Sequence, residues 1–404
     1  MKLGTALTAA ALLLASTALA QQPAPAQNPA LPGPGMPPSH MTNNSLAPHP
    51  PVMQVTPPDK IPLNKLKVPA GFKIELWAHG MPGVRMMTRG DKGTIFGGTR
   101  IIGRVYAISD KGGQREHVIL AQGLTQPNGL AFRNGALYVT AINKVFRYDG
   151  VEDKLASPGT PVEMTSAFNL PPEVHHNWKF TAFGPDNKLY FQVGAPCNIC
   201  EIDENKHGQI RRYNPDGSGM EIVAKGVRNT VGFDWDPRSG QLWFTDNGRD
   251  WMSEDGPEEE LNRVSQVGAN FGFPYCHANA IPDPDFKKPN PCQGVTLPVI
   301  TLGAHAAALG MRFYRGNMFP PEYQNSILVA RRGSWNKTQK NGYDVVRVTV
   351  GPNGENPKVE PFVTGFLEGN QFWGRPVDVH IQPDGSVLVS DEQNGAIYRV
   401  SYQR

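Results

Sequence analysis

Short runs in which apolar and polar residues alternate recur along the chain, and turns of the Asp-Gly or Asn-Gly type separate many of them. Alternation with a period of two is typical of β-strands, and such turns are typical of tight hairpins. The pattern is clear in PVDVHIQPDGSVLVSDEQNGAIYRV, KFTAFGPDNKLYFQVG and PNGLAFRNGALYVTAINKVFRYD. About six such units occur, spaced as four-stranded blades would be. The sequence therefore predicts an all-β, six-bladed β-propeller, because a β-sandwich would not need such regular internal similarity.

The N-terminal region differs from the rest of the chain in composition. A lysine, an apolar stretch and the triplet Ala-Leu-Ala predict a signal peptide over residues 1–20. Residues 21–60 are rich in proline and poor in apolar side chains, which predicts a disordered tether. The propeller domain is then expected to occupy residues 61–404. Export by this route predicts a periplasmic or secreted protein.

Charge and hydropathy exclude several classes of partner. The formal net charge of +3 and the pI near 8.6 give no argument for a nucleic-acid or membrane-surface partner. No segment after the signal peptide is apolar for long enough to span a bilayer. There is no Cys-x-x-Cys-His motif for covalent haem, so electrons released by a redox reaction would have to pass to a separate acceptor, a quinone or a cytochrome.

The four cysteines fall into two local pairs. In an oxidising compartment, cysteines are more often paired than free. Cys197 can bridge to Cys200 within one loop, and Cys276 with Cys292 would close a second loop. Metal binding by the first pair is the weaker interpretation, since no second ligand pair stands at zinc-site spacing. A thioredoxin-type role is weaker still, because there is no βαβ context.

Polar residues flank the strands at positions that a propeller would bring together. Arg228 and Asn229 precede one predicted strand, and residues 246–250 follow the next. Loops at one face of a propeller converge on its central channel, so both groups are expected to face a ligand there. Histidines, arginines and an aspartate stand at similar points of other repeats. Convergent cationic groups and imidazoles favour a multiply anionic ligand, with calcium as a plausible companion.

Several longer motifs carry a family resemblance. GVRNTVGFDWDPRSGQLWFTDNGRD, AHAAALGMRFYRGNMFP, RRGSWNKT and GRPVDVHIQPDGSVLVSDEQNGAIYRVSY stand in this order. The chain thereby resembles the pyrroloquinoline quinone (PQQ)-dependent glucose/sorbosone dehydrogenases, and most of all their sorbosone branch, over about residues 66–402. The resemblance implies a propeller that oxidises an aldose, sorbosone or a related hydroxy-aldehyde with PQQ and Ca²⁺.

The resemblance also implies a role for each matching residue. His176 is the general base that removes the proton of a sugar hydroxyl while hydride passes to the quinone, with His175 as the rival assignment. Arg228 stabilises the reduced quinone, and the backbone carbonyls of Gly248 and Arg249 bind calcium, which polarises the quinone. The further cofactor-binding positions are Asn229, Asn247, His305, Arg331, Arg332, Trp335, Arg375 and Asp391.

The sequence departs from the family pattern at two informative positions. A second arginine found in some members is Val377 here, and Arg331 or Arg332 is expected to replace its charge. Ala195 stands where relatives that oxidise aldoses hold an acidic contact to the sugar, so glucose itself is not favoured as the substrate.

Two other classes of function fit part of the pattern. A calcium-dependent propeller lactonase would need carboxylate and asparagine side chains lining the channel, where this sequence offers mainly arginines. A non-catalytic binding propeller would show the repeats without convergent histidines and arginines. We also expect the side chains of Asp250 and of the acidic residues 258–260 to be solvated, because charged runs usually are.

Overall fold

Alternating strands and tight turns build six β-sheets arranged as the blades of a propeller, which confirms the predicted fold. The computed structural model describes residues 53–403. The predicted signal peptide and residues 21–52 of the predicted tether lie outside the described residues. Of the tether, residues 53–60 are described, and there the Thr56 side chain bonds Asn394 Oδ1 at 2.6 Å.

The first half of the described chain forms one strand of blade 6, which the C-terminal strands complete, and then blades 1 to 3. Each of these three blades is built from four consecutive strands, and a one-turn helix, α1 (Thr165–Phe168), lies between the second and third blades. The strands are β1 (Phe72–Ala78), β2 (Val84–Arg89), β3 (Ile95–Thr99), β4 (Arg104–Lys111), β5 (Gln114–Gln122), β6 (Gly129–Arg133), β7 (Ala136–Ala141), β8 (Lys144–Asp149), β9 (Val162–Glu163), β10 (Thr181–Phe183), β11 (Leu189–Val193), β12 (Gln209–Tyr213) and β13 (Glu221–Lys225).

The second half forms blades 4 to 6 and carries the longer insertions. Its strands are β14 (Phe233–Trp235), β15 (Leu242–Asp246), β16 (Glu258–Arg263), β17 (Ala269–Asn270), β18 (Cys276–His277), β19 (Ile281–Pro282), β20 (Ile300–Ala304), β21 (Ala308–Phe313), β22 (Ile327–Arg331), β23 (Asp344–Thr349), β24 (Lys358–Val363), β25 (Leu367–Glu368), β26 (Gln371–Phe372), β27 (Pro376–Ile381), β28 (Val387–Asp391) and β29 (Ala396–Tyr402). Blade 4 is β14-β15-β16-β20, blade 5 is β21 to β24, and β17 pairs in parallel with the outer edge of blade 3.

Blade 6 joins the two ends of the described chain. β27, β28 and β29 come from the C-terminal end, and β1 pairs antiparallel with β29 as the fourth strand. The register places Phe72 opposite Tyr402 and Ile74 opposite Val400. The ring is therefore closed by ladder hydrogen bonds between the first and the last long strand, and full closure leaves few exposed sheet edges.

Glycine lets the innermost strands of neighbouring blades approach closely around the channel. A Cβ atom at Gly232 would lie 2.1 Å from the Leu309 carbonyl oxygen, and one at Gly310 would lie 2.1 Å from Asp378 Oδ1. No side chain fits at such distances, so these positions require glycine. The close approach brings the ends of the inner strands, and the polar residues next to them, around one narrow space.

Both predicted disulfides are confirmed. Cys197 is bonded to Cys200 and Cys276 to Cys292, which accounts for all four cysteines. Within residues 53–403 there is no helix of the length and apolarity needed to cross a membrane.

Candidate active site

Each blade brings two chain positions to the same face of the propeller. The two innermost strands are antiparallel, so the residues before the first and after the second lie side by side. In blade 4 the Asp246 carboxylate, at the end of β15, accepts the backbone N–H groups of Arg228 at 2.8 Å and Asn229 at 2.6 Å. In blade 6 Asp391 accepts the N–H of Arg375 at 2.9 Å in the same way. The polar groups at both ends of the blade-4 hairpin therefore do meet at the channel.

A cavity of about 960 Å³ opens at this face. Predicted site residues that line it are His175, His176, Arg228, Asn229, Asn247, Gly248, His305, Arg332 and Trp335. Residues that the sequence analysis did not assign to the site also line it, and the polar and aromatic ones among them are Arg85, Arg100, Gln126, Glu173, Trp178, Asn198, Asp250, Trp251, Glu259 and Asn336. A smaller cavity of about 580 Å³ lies at the opposite end of the inner strands.

Four predicted residues are not among those that line the cavity. The Arg249 guanidinium is buried against Asp283 and Asp285, and Arg331 bonds Asp344. The Arg375 side chain is fully buried over the ring of Phe372. The Asp391 carboxylate accepts the backbone N–H of Arg375 and the side-chain donors of Asn394 and Tyr398. Of the two candidate replacements for the missing arginine, Arg332 is the one that faces the cavity.

His176 is held in a single orientation with one ring nitrogen engaged. Its Nδ1 lies 3.1 Å from the Ala195 carbonyl oxygen, which can only accept, so Nδ1 carries the proton and the Nε2 lone pair is left to accept another. The residue is buried and adopts a left-handed φ of 52°, and Gln192 donates to its carbonyl oxygen. Burial, and then the positive charge of Arg228, lower the pKa of His176 well below its usual value. The ring is therefore neutral, as a general base must be.

The two other histidines at the cavity are less suited to accept a proton. His175 packs edge to face on His176 with ring centroids 4.1 Å apart, and no hydrogen bond among residues 53–403 fixes its ring as the Ala195 carbonyl oxygen fixes that of His176. In His305 both ring nitrogens are engaged: Nε2 lies 2.8 Å from the Ser253 carbonyl oxygen, and Nδ1 lies 3.2 Å from the Asn336 amide nitrogen. The geometry thus favours His176 over both neighbours as the proton acceptor.

The Arg228 guanidinium is fixed by four hydrogen bonds. Nε donates to the Asn198 carbonyl oxygen at 2.8 Å, and Nη1 donates to that of Asn247 at 3.0 Å. Nη2 donates to Asn198 Oδ1 at 2.7 Å and to Asp250 Oδ2 at 3.1 Å. Arg228 is only 4% exposed, so a positive charge is presented to the cavity from a rigid position.

Two further guanidinium groups bind one carboxylate in the cavity wall, and a third guanidinium lies on the ring of Trp178. Glu392 bonds Arg85 through one oxygen and Arg332 through the other, and all three side chains are buried. These two arginines hold the pKa of Glu392 below its usual value against the effect of burial. Arg100 lies over the ring of Trp178 at 3.6 Å, and burial followed by the charges of Arg85 and Arg332 lowers the pKa of Arg100 to about 9. With Arg100 still charged near neutral pH, this wall carries an excess of positive charge.

Buried donors on this wall have no partner within the described chain. Arg332 Nη2 and Arg100 Nε are both buried without a hydrogen bond among residues 53–403. An unsatisfied buried guanidinium donor is costly, so such atoms mark the place of an acceptor that binds from outside. Together with the excess positive charge, they make this cavity suited to a ligand with several carboxylates.

The expectation that Asp250 and residues 258–260 are solvated is wrong. Residues 258–263 form strand β16, and Glu259 is 4% exposed. Its carboxyl accepts the N–H groups of Gly248 at 2.7 Å and Ala307 at 3.0 Å, and burial raises the pKa of Glu259 to about 8. Asp250 pairs with Arg228 at 3.1 Å. The physical reason is that β16 lies inside blade 4, where its acidic groups satisfy backbone donors instead of facing water.

Oxygen donors for a metal ion are present at this end of the cavity, but they are not a side-chain cluster. Among residues 53–403 no three or more His, Cys, Asp or Glu side chains are grouped to hold a metal ion. Gly248, Asp250 and Glu259 line the cavity together. A calcium ion here would therefore depend on backbone carbonyls and on oxygen or nitrogen atoms of a bound ligand.

The buried histidines make a testable prediction about acid stability. Burial lowers the pKa of His175 to about 4 and that of His380, at the opposite end of the channel, to about 3. An unfolded chain protonates these rings near pH 6.5, so stability is fully present above that pH and is lost as the pH falls toward the folded-state values. Between pH 6.5 and the folded-state pKa, each ring contributes up to ~1.4 kcal/mol per pH unit to the slope of the unfolding free energy against pH. Burial raises the pKa of the Glu259 carboxyl to about 8, and this group acts in the opposite direction over the same window. We therefore expect the histidine contribution to appear as a difference in slope between the wild type and a histidine variant.

Urea unfolding at a series of pH values measures this slope. His380→Gln removes one of the neutral buried rings, including an Nε2 atom that has no partner among the described residues. Between pH 6.5 and 5, the slope of the unfolding free energy against pH should be less positive in this variant than in the wild type, by up to ~1.4 kcal/mol per pH unit. An unchanged slope would show that His380 protonates normally in the folded protein.

One signal in the sequence could have located Arg85. The triplet Gly-Val-Arg occurs at residues 83–85 and again at residues 226–228, each time where an inner strand begins. Equivalent positions of different blades face the same channel. Glu392 likewise follows the aspartate that ends β28, as Asn247 follows the aspartate that ends β15. Comparing the repeats position by position would have found both residues.

The fold and the cavity define the class of protein. It is a six-bladed propeller with a positively charged site, lined by several arginines, at one end of its channel. Residues 66–403 match the family model described as TrAA12-like, and the chain belongs to that family. This match and the relatives below confirm the family resemblance seen in the sequence motifs.

Two curated relatives are similar to this chain in amino-acid sequence. An uncharacterized protein of Borreliella burgdorferi is 32% identical over 351 residues, which cover 84% of this chain and 91% of the relative. The aldose sugar dehydrogenase YliI of Escherichia coli is 30% identical over 205 residues, 48% of each chain.

Two solved structures show the same fold. The family AA12 carbohydrate-active enzyme of Trichoderma reesei superposes with a TM-score of 0.70 at 20% identity, over 87% of this chain and all of the other. The holo form of the PQQ domain of pyranose dehydrogenase from Coprinopsis cinerea superposes with a TM-score of 0.66 at 20% identity, over 83% and 97% of the two chains.

Proposed function

We propose that this protein is a quinoprotein oxidoreductase that uses PQQ to oxidise an aldose, sorbosone or a related hydroxy-aldehyde. The observation that carries the proposal is the combination, in one cavity, of a neutral His176 and an arginine-rich wall. The E. coli relative is named an aldose sugar dehydrogenase, and the C. cinerea structure is a PQQ domain, which supports the same class of reaction.

PQQ is a flat quinone with three carboxylates, and the cavity offers partners for both properties. Arg332 and Arg100 have buried N–H donors without partners among the described residues, and Arg228 adds a fixed positive charge. Arginine forks bind carboxylates through two parallel hydrogen bonds. The rings of Trp178, Trp251 and Trp335 also line the cavity and offer flat apolar surface.

His176 would act as the general base. When bound, PQQ supplies an electrophilic carbonyl that accepts hydride from the carbon undergoing oxidation. The Nε2 atom of His176 would take the hydroxyl proton from the same carbon, because its Nδ1–H is already committed to the Ala195 carbonyl oxygen. Arg228 would stabilise negative charge that develops next to it, at no cost in reorientation, because its four hydrogen bonds already fix it.

Calcium is proposed to bind at the blade-4 end of the cavity. The backbone carbonyls of Gly248 and Arg249 would supply protein ligands, with Asp250 and Glu259 as nearby carboxyl groups. Roles for Arg375 and Asp391 in binding the cofactor remain part of the proposal, although neither side chain lines the cavity.

The two disulfides are compatible with export to the periplasm or the medium, where such bonds persist. There the electrons would leave to a separate quinone or cytochrome. Identifying the substrate requires a dye-linked assay of the loaded protein across aldoses, sorbosone and simple aldehydes.

The cofactor requirement tests the proposal directly. We expect the purified apoprotein to reduce an artificial electron acceptor only after both PQQ and Ca²⁺ are added, and chelation of Ca²⁺ before reconstitution should abolish the gain. The visible spectrum of the reconstituted protein reports binding independently of activity. Lactone hydrolysis without quinone would favour the lactonase alternative, and failure to bind PQQ at all would contradict the proposal.

A further inference from the structure

The four-residue loop closed by the Cys197–Cys200 disulfide lies directly against Arg228. We propose that Asn198, at the second position of this loop, is a positioning residue that orients the Arg228 guanidinium for the ligand. The inference deepens the proposed function and rests on it. The loop closed by the disulfide would hold Asn198 at the position from which it bonds Arg228.

Asn198 contacts both members of the Arg228–Asp250 ion pair. Its carbonyl oxygen accepts Arg228 Nε at 2.8 Å, and its Oδ1 accepts Arg228 Nη2 at 2.7 Å. The same Oδ1 accepts the Asp250 N–H at 2.8 Å, and its Nδ2 donates to the Asp250 carbonyl oxygen at 3.1 Å. One residue thus fixes the orientation of the guanidinium and of the loop that carries its counter-ion.

These contacts act on the side chain of Arg228, since its backbone is held by other means. The Arg228 N–H is bonded to Asp246 Oδ2, and its carbonyl oxygen accepts the N–H of Ala195 at 2.8 Å. Loss of the Asn198 amide would therefore leave the chain path at Arg228 in place while removing one of the four hydrogen bonds that orient the guanidinium. That separation makes a positioning role distinguishable from a general structural one.

The disulfide limits the freedom of Asn198 from both sides. Cys197 and Cys200 are three positions apart, so the bond closes a minimal ring around Asn198 and Ile199. Ile199 is 6% exposed and packs with Ala195 and Phe273. A loop without the cross-link would have to lose more conformational entropy to present the same oxygen atoms, and this would weaken the contacts.

A double-mutant cycle on cofactor affinity tests the proposal. PQQ binding can be followed by quenching of tryptophan fluorescence, because three tryptophans line the cavity. Asn198→Ala is expected to weaken PQQ binding roughly ten-fold, the effect of one lost hydrogen bond to a charged group. In an Arg228→Ala background the same substitution should change affinity by less than about two-fold, because no guanidinium remains to be oriented. Arg228→Met, which keeps a long side chain without hydrogen-bond donors, serves as the background if Arg228→Ala fails to fold.

A persistent ten-fold effect in that background would show that Asn198 contacts the ligand directly, and would overturn the positioning role. The matched control is Asn214→Ala, which removes an amide bonded to Ser218 in the turn between β12 and β13, away from the cavity. This control should bind PQQ as the wild type does.

The role of the cross-link is tested with paired serine variants. Cys197→Ser with Cys200→Ser should weaken PQQ binding in the same direction as Asn198→Ala, whereas Cys276→Ser with Cys292→Ser should leave affinity within about two-fold of wild type. Equal effects of the two pairs would refute a specific role for the first disulfide.

Thermal unfolding without cofactor separates this inference from the proposed function. The fall in melting temperature caused by Asn198→Ala should be smaller in the Arg228→Ala background, where the bond from Arg228 to Asn198 Oδ1 is already absent and only the two bonds to the Asp250 backbone remain to be lost. If this coupling is present but the wild type does not bind PQQ, the contact between Asn198 and Arg228 stands and the proposed function fails. If the coupling is absent while PQQ binds, the positioning role fails and the proposed function stands.

Discussion

His176→Ala is expected to lower the turnover of the PQQ-loaded protein by about two to four orders of magnitude, the range typical for loss of a general base. The affinity for PQQ should stay within about three-fold of wild type, because the Nδ1–H of the ring bonds the Ala195 carbonyl oxygen and not the ligand. Titrating the variant with PQQ at saturating Ca²⁺ and measuring the rate at full occupancy separates turnover from binding.

His175→Ala is the matched control, since it removes the adjacent imidazole from the same cavity. We expect this variant to keep turnover within about ten-fold of wild type, below the loss typical for a general base. If His175→Ala or His305→Ala abolishes turnover while His176→Ala keeps it, the base has been assigned to the wrong histidine.

Arg332→Ala is expected to weaken PQQ binding by one to two orders of magnitude, through loss of a charge-assisted contact worth roughly 1.5 to 3 kcal/mol. Arg332 faces the cavity with an unpartnered Nη2, whereas its neighbour Arg331 is bonded to Asp344 and the Leu302 carbonyl oxygen. Arg331→Ala should therefore bind PQQ nearly as the wild type does. Fluorescence titration of both variants measures the difference.

If Arg332→Ala weakened PQQ binding no more than Arg331→Ala does, the proposed contact between Arg332 and the cofactor would be refuted. Because Arg332 also bonds Glu392, the melting temperature of each variant is needed to confirm that the cavity wall stays folded. Arg85, the second partner of Glu392, should keep this carboxylate paired in Arg332→Ala.

The fold could be predicted from the sequence because its determinants are local. Strand alternation and turn residues act over a few positions, and the six repeats make the same prediction independently. The pairing of Arg228 and Asn229 with the loop after β15 followed from the same reasoning, since antiparallel neighbours must place these ends together.

The cationic wall could not be predicted in this way because it depends on distant contacts. Glu392 meets Arg85 across 307 positions and Arg332 across 60. The repeat pattern places Glu392 at the channel, after the aspartate that ends β28, but it does not identify the two arginines that this carboxylate binds. Glu259 was misplaced for a similar reason: a run of three glutamates suggests a surface, but in β16 two of them are buried and bind backbone donors.

The pairing of β1 with β29 has a consequence for local dynamics. Chain ends usually fray, so terminal strands tend to exchange their amide hydrogens quickly. Here the first and the last long strand of the described chain, β1 and β29, lie in the same blade. Glu392 of that blade is bonded to Arg85 of blade 1 and to Arg332 of blade 5. Fraying at the seam would strain an ion cluster in the cavity wall. The amides of Ile74 and Val400 should therefore be protected from hydrogen exchange as strongly as strand amides of blades 1 to 5. A ligand bound between the arginines should slow the exchange of these two amides further.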